Sequence, residues 1–204
     1  MKQQVFLIHG GEAFNTYEDY LGWLKKLAID FDEFISVKKP GWKGTLAEKL
    51  GGEYEVIAPR MPNPLNAKYA EWKIYFEKFI PFLRDDIILV GHSLGGIFLA
   101  KYLSEERFPH RVTATFLVAA PCNTASEHPL SDFILGQNLD VFAEQSEIIV
   151  MYHSKDDEVV PFSNLDCYGR MLPGARVEIF EDRGHFNQEE FPELLQAIAS
   201  LRKN

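Results

Sequence analysis

Short apolar runs separated by longer amphipathic stretches set the rhythm of the chain. Four runs stand out: VFLIHG at 5–10, IILVGHS at 87–93, TATFLVAAP at 113–121 and EIIVMYH at 147–153. Two weaker ones, YEVIAP at 54–59 and RVEIFE at 176–181, join them. None alternates cleanly between apolar and polar, which is how strands buried on both faces of a parallel sheet read. Helical stripes lie between the runs. Tyr69, Trp72, Phe76, Phe79, Ile80 and Leu83 share one helical face, with Pro81 kinking or ending it. Leu94, Ile97, Phe98, Lys101 and Tyr102 follow the run at 87–93, and Phe191, Leu194, Leu195, Ile198 and Leu201 form a closing helix. Strand and helix alternate, so the pattern predicts an α/β fold: about six mostly parallel strands with helices on both faces.

One stretch interrupts that rhythm. About forty residues, 12–52, separate the first two strands, long for a simple crossover. Tyr17, Tyr20, Leu21, Trp23, Leu24 and Leu27 are helically spaced, and Phe31, Phe34 and Ile35 add apolar load. A turn at Pro40-Gly41-Trp42-Lys43-Gly44 follows, and Thr45 is placed to cap a short helix from Leu46 to Leu50, with Glu48 completing a capping box. Residues 12–44 are therefore expected to be a helical insertion that either lies near the mouth of a site or covers one sheet edge.

Composition narrows the classes of function. The chain has 204 residues, 13% of them aromatic, which fits a folded domain able to bury its own core. Twenty-one Lys and Arg against thirty Asp and Glu give a net charge of −9, unsuited to a nucleic-acid partner. No basic amphipathic stretch favours a membrane surface. The N-terminal apolar run, Val5 to Ile8, is shorter than the roughly 7–15 residues of a signal peptide, and no run approaches the ~20 of a membrane span. Cys122 and Cys167 form no Cys-x-x-Cys pair, so the expectation is two reduced thiols in a cytoplasmic protein. No internal repeat or linker divides the chain, which is expected to be one domain over 1–204.

The sharpest chemical signal is Gly91-His92-Ser93-Leu94-Gly95. By composition alone a G-x-S-x-G pentapeptide arises about once in twenty chains of this length. Here it follows an apolar strand and opens an apolar-periodic helix, the setting of a nucleophile elbow. A serine hydroxyl needs a base, and His185 follows the last strand, in Asp182-Arg183-Gly184-His185-Phe186. His110 and His128 lie in polar stretches, and the elbow is expected to point His92 elsewhere. An orienting carboxylate is offered by Asp157 or Asp156, at the end of the run at 147–153. An oxyanion hole needs two N–H donors, expected from Leu94 and from Gly11, with Glu12 the near alternative.

The order Ser93, Asp157, His185, with His9-Gly10-Gly11 after the first strand, resembles the α/β-hydrolase superfamily over essentially the whole chain. The resemblance implies the α/β-hydrolase fold and selects Asp157 over Asp156, from its spacing to Val159-Val160-Pro161. Met61-Pro62-Asn63-Pro64 with Trp72 is similar to the small single-domain serine hydrolases related to the retinoblastoma-binding serine hydrolase. Two features depart from that group: the length of 12–44 and Glu158 where Pro is frequent. The implied activity is cleavage of a small-acyl or aromatic carboxylic ester through an acyl-enzyme, without metal or cofactor. Amide hydrolysis or acyl transfer would use the same residues, and a non-catalytic binding module is the rival class. The implied partner is a small-molecule ester or amide. Pro121, Cys122, Pro129, Leu130, Phe133, Ile134, Leu135 and Leu139 are expected to form a modest flap; Phe14, Tyr17, Tyr20, Trp23 and Trp42 would complete an apolar mouth. No basic cluster is expected around the triad, which disfavours strongly anionic substrates.

Overall fold

All six apolar runs become strands of one sheet in the computed structural model, which describes residues 1–29, 31, 41–123 and 129–202. They are β1 (Gln3–Ile8), β2 (Tyr54–Ile57), β3 (Ile87–His92), β4 (Val112–Val118), β5 (Ser146–Ser154) and β6 (Arg176–Phe180). Their order across the sheet is β2-β1-β3-β4-β5-β6, and every pairing is parallel. The fold is that of an α/β-hydrolase. Seven α-helices are described: α1 (Tyr17–Lys26), α2 (Trp42–Leu50), α3 (Tyr69–Glu77), α4 (Leu94–Glu105), α5 (Asp140–Gln145), α6 (Asn164–Met171) and α7 (Pro192–Ser200).

Successive strand residues feed opposite layers, as the two-residue period demands. Phe6 and Ile8 of β1 join a core with Trp72, Phe76, Phe98 and Phe133. Val5 and Leu7 join the other core, with Trp42, Leu46, Phe116, Phe191 and Ile198. Helices α2 and α7 thus cover one face, while α3, α4 and α6 cover the other. Both faces being dry explains why the central strands lack polar alternation.

Several boundaries differ from the sequence expectation. α2 begins at Trp42, capped by the extended backbone of Gly41, so Thr45 lies inside the helix and caps nothing. α3 stops at Glu77, and Pro81 sits in a separate 3-10 turn, Ile80–Phe82, because proline has no N–H to continue an α ladder. α6 has no clear apolar stripe in the sequence: it is short, and three of its eight residues are polar or charged, with a glycine among the rest. Phe34, Ile35 and Pro40 of the insertion, and His128, lie outside the described residues.

The cysteine expectation is overturned. Cys122 and Cys167 form a disulfide, with Cα atoms 6.1 Å apart. Forty-five residues of sequence separate them, but the fold brings the segment after β4 against α6. Asn164 Oδ1 accepts from the Cys122 N–H at 2.8 Å, and Tyr168 donates to the Pro121 carbonyl at 2.8 Å, so the same junction is tied three times. This removes the free-thiol argument for a reducing compartment. No described helix is long and apolar enough to cross a membrane.

Candidate active site

The chain runs outward from β1 to the edge strand β2, then back to β3 on the other side of β1. A crevice forms at the carboxyl ends of strands where such a reversal occurs. Gly10 and Gly11 leave β1 there, and Ser93 leaves β3 beside them. Ser93 has φ 55° and ψ −124°, a left-handed backbone that a side-chain-bearing residue adopts only when its surroundings hold it. The surroundings do so: its N–H donates to Val118 O at 2.8 Å, and its carbonyl accepts from Gly96 N at 2.8 Å. A side chain at Gly95 would collide with the Ile8 and His9 carbonyls, so glycine is what lets α4 start this close to β1.

The acidic turn after β5 divides its labour. Asp157 is buried, and its carboxylate accepts from His185 Nδ1, at 2.9 Å to Oδ2 and 3.1 Å to Oδ1. Oδ1 also accepts from the N–H groups of Val159 and Val160, each at 2.9 Å. Asp156 faces the other way. It accepts from Ser154 Oγ at 2.5 Å and from Gly184 N at 2.8 Å, bonds that hold its carboxyl below the usual range. Asp157 therefore meets the imidazole, and Asp156 shapes the loop carrying it. His153 Nε2 braces the same turn through Val160 O at 2.9 Å.

Ser93, His185, Gly11 and Leu94 all line one cavity of about 410 Å³. No hydrogen bond joins Ser93 Oγ to His185 among the described residues, a separation common before a ligand closes a site. The Gly11 and Leu94 N–H groups have no acceptor among the described residues. Glu12 is different: its N–H donates to Pro64 O at 2.8 Å, which removes it as the alternative donor. The Met61–Pro64 segment is what holds this loop. His9 Nε2 accepts from Met61 N at 2.8 Å, Trp72 Nε1 donates to Pro62 O at 2.8 Å, and a side chain at Gly11 would lie 2.7 Å from Pro64 O.

Two residues near Ser93 make contacts that the sequence pattern does not predict. His92 turns toward the histidine loop: its Nε2 donates to His185 O at 2.8 Å, and its Nδ1 lies 3.3 Å from Lys43 Nζ. A carbonyl can only accept, so the ring proton is assigned to Nε2 and the Nδ1 lone pair receives the ammonium N–H. Burial holds His92 far below the usual imidazole range, hence neutral. Lys43 itself is pushed down to about 8 by burial. A cation thus stands in the wall where none was expected. Its approach was not readable from a sequence separation of forty-nine residues.

The expected apolar mouth is only partly assembled. Pro121, Pro129 and Leu130 line the cavity, whereas Phe133, Leu135 and Leu139 are core and Ile134 is exposed. Phe14, Tyr17, Tyr20, Trp23 and Trp42 do not line it. Trp42 is buried, its indole donating to Phe186 O at 2.7 Å while its backbone N–H reaches Gln188 O at 3.3 Å. Among the described residues no group of three or more His, Cys, Asp or Glu is gathered to hold a metal.

A family model described as serine hydrolase matches residues 36–201. The chain belongs to the serine hydrolase family. This serine hydrolase is 26% identical over 170 residues to the rat serine hydrolase RBBP9, covering 79% of this chain and 84% of that protein. It is 25% identical over 192 residues to the putative hydrolase YdeN of Bacillus subtilis, covering 93% and 89%. The solved structure of the B. subtilis ydeN gene product superposes with a TM-score of 0.72 at 22% identity, over 98% of each chain. An esterase from Exiguobacterium antarcticum superposes with 0.61 at 19% identity, over 98% of this chain and 91% of that one.

Proposed function

We propose that this hydrolase cleaves a small-acyl or aromatic carboxylic ester through a Ser93–His185–Asp157 acyl-enzyme mechanism. The observation that carries the reading is the Asp157–His185 pair on the same cavity wall as a serine held at positive φ. With its Nδ1 proton directed at Asp157, His185 keeps the Nε2 lone pair for the serine hydroxyl. Ser93 Oγ bonds to the ester carbonyl carbon as its proton passes to His185 Nε2. The oxyanion lies against the N–H groups of Leu94 and Gly11, and the amino end of α4 adds its positive dipole. Collapse breaks the carbon–oxygen bond to the leaving alcohol, which takes the proton from His185. Water then repeats the sequence on the acyl-serine and releases the acid.

A cavity of about 410 Å³ suits a small ligand. Esterase and hydrolase relatives support this reaction class. Ser93→Ala should lower kcat/KM for a neutral aryl acetate by at least ~10³-fold while leaving the protein folded. A fluorophosphonate should label the parent protein and not the variant. Turnover by Ser93→Ala near the parent rate would sink the mechanism, and silence of the folded parent toward both ester and probe would favour a binding module.

A further inference from the structure

The steps above give Lys43 nothing to do, although it lines the cavity beside Ser93. Its side chain is partly buried. Among the described residues no carboxylate lies within ion-pair distance of it. Its contacts are His92 Nδ1 at 3.3 Å and the Trp42 ring, whose centroid is 5.2 Å away. An ammonium has three N–H donors, and His92 takes one of them. A partly buried cation held this way is costly unless something of opposite charge visits it.

The surroundings of Lys43 show where that visitor would lie. Lys43 and His9 also line a second cavity of about 420 Å³, so these two side chains form a wall common to both spaces. The second cavity is apolar along Leu7, Ala47, Val56 and Pro59, and it carries another cation, Arg60. A ligand carbonyl over Ser93 would therefore have a cation in the wall beside it and a second one further along.

We propose that Lys43 is a specificity-determining residue that receives a carboxylate on the substrate, making this an esterase for monoanionic esters. The inference rests on the ester-hydrolase reading above and adds the substrate class to it. The rival role for Lys43 is to support His92 alone, and through it the His185 loop. The two roles differ in what the loss of the ammonium does to charged and neutral substrates.

Titration gives a second signature. With a value near 8, Lys43 is charged below that pH and neutral above it. The other titratable groups lining these cavities are His9 after β1, His92 at the end of β3, His185 after β6, Glu12 on the catalytic cavity and Arg60 on the second one. The substrate carboxylate remains ionised throughout, so selectivity for it should be full at pH 6–7 and fade as pH rises through about 8.

The test uses matched ester pairs on the full chain. One pair, 3-acetoxybenzoate and 3-acetoxybenzamide, carries the charge on the leaving group. The other, an aryl monoester of adipate and the aryl hexanoate, carries it on the acyl group. In Lys43→Met, kcat/KM should fall at least about tenfold more for the anionic member of one pair than for its neutral partner. Lys43→Arg should restore part of the difference and extend it to higher pH. The pair that responds tells which side of the scissile bond faces Lys43. Equal losses on both members would assign Lys43 to supporting His92 and overturn the proposal, as would unchanged ratios. Failure of the underlying mechanism looks different: Ser93→Ala would then retain turnover of the neutral esters.

Discussion

At the scale of single residues, the site separates groups that adjoin in sequence. Asp156 and Asp157 are neighbours, yet one accepts from the imidazole and the other from the backbone of the loop carrying it. Asp157→Asn should cut kcat by roughly 10³–10⁴-fold with little change in KM, because the amide no longer fixes the Nδ1–H tautomer. Asp156→Asn should cost far less in kcat, and steady-state kinetics on a neutral ester compares the two. Lys43 supplies a stability test of opposite sign. Its folded value, about 8, lies below its ordinary 10.5, so below pH 8 burial of the charge opposes folding. Between those two values the unfolded chain binds more protons than the folded one, and stability should rise with pH there. Lys43→Met should therefore raise Tm at pH 7 by a few degrees, an advantage over the parent that shrinks as pH climbs above about 8. A Tm lowered at pH 7 would mean that its bond to His92 outweighs desolvation.

At the scale of elements, α2 does more than cover the sheet. Its first residue, Trp42, bonds to the Phe186 and Gln188 carbonyls, and its second, Lys43, reaches His92. One helix end from the early insertion thus clamps the loop bearing His185. Trp42→Phe keeps an aromatic ring but loses the indole N–H, which leaves the buried Phe186 carbonyl without its donor at a cost of about 1–3 kcal/mol, and the smaller ring leaves a gap that adds to it. In a domain of this size that is a fall in Tm of several degrees, read by calorimetry, and kcat should drop with it. The strands of this layer were legible because β1, β3 and β4 are continuous apolar runs bounded by turn residues. The elbow was legible because glycine and serine at fixed spacing follow such a run. The clamp was not: Trp42 looked like one more aromatic of an apolar mouth, and Thr45 like a cap. Which face of α2 meets which loop depends on contacts over a sequence distance of 144 residues.

At the scale of the whole molecule, the Cys122–Cys167 bridge ties the cavity-lining segment after β4 to α6. Closing a loop of that length restricts the unfolded chain and contributes about 2–4 kcal/mol. Reduction, or the double variant Cys122→Ser/Cys167→Ser, should lower Tm by roughly 5–15 °C. Identical melts with and without reductant, with two titratable thiols after unfolding, would show that the sulfurs are unpaired in solution. The net charge of −9 also gains local meaning. A chain so acidic repels anions at long range, but Lys43 and Arg60 create a local exception around two adjoining cavities.

The sequence by itself determined the parallel sheet, the elbow at Ser93, and the choice of His185 and Asp157 as candidates. The sheet and the elbow depend on periodicity and short-range spacing, which local backbone geometry imposes directly, whereas the preference for Asp157 over Asp156 comes with the family resemblance. The placement of Lys43 in the wall, the turning of His92 toward His185, the clamp by Trp42 and the joining of Cys122 to Cys167 were decided by tertiary structure alone. Each is a contact between segments far apart in the chain, set by how layers pack on the sheet, and no local pattern of side chains encodes that distance.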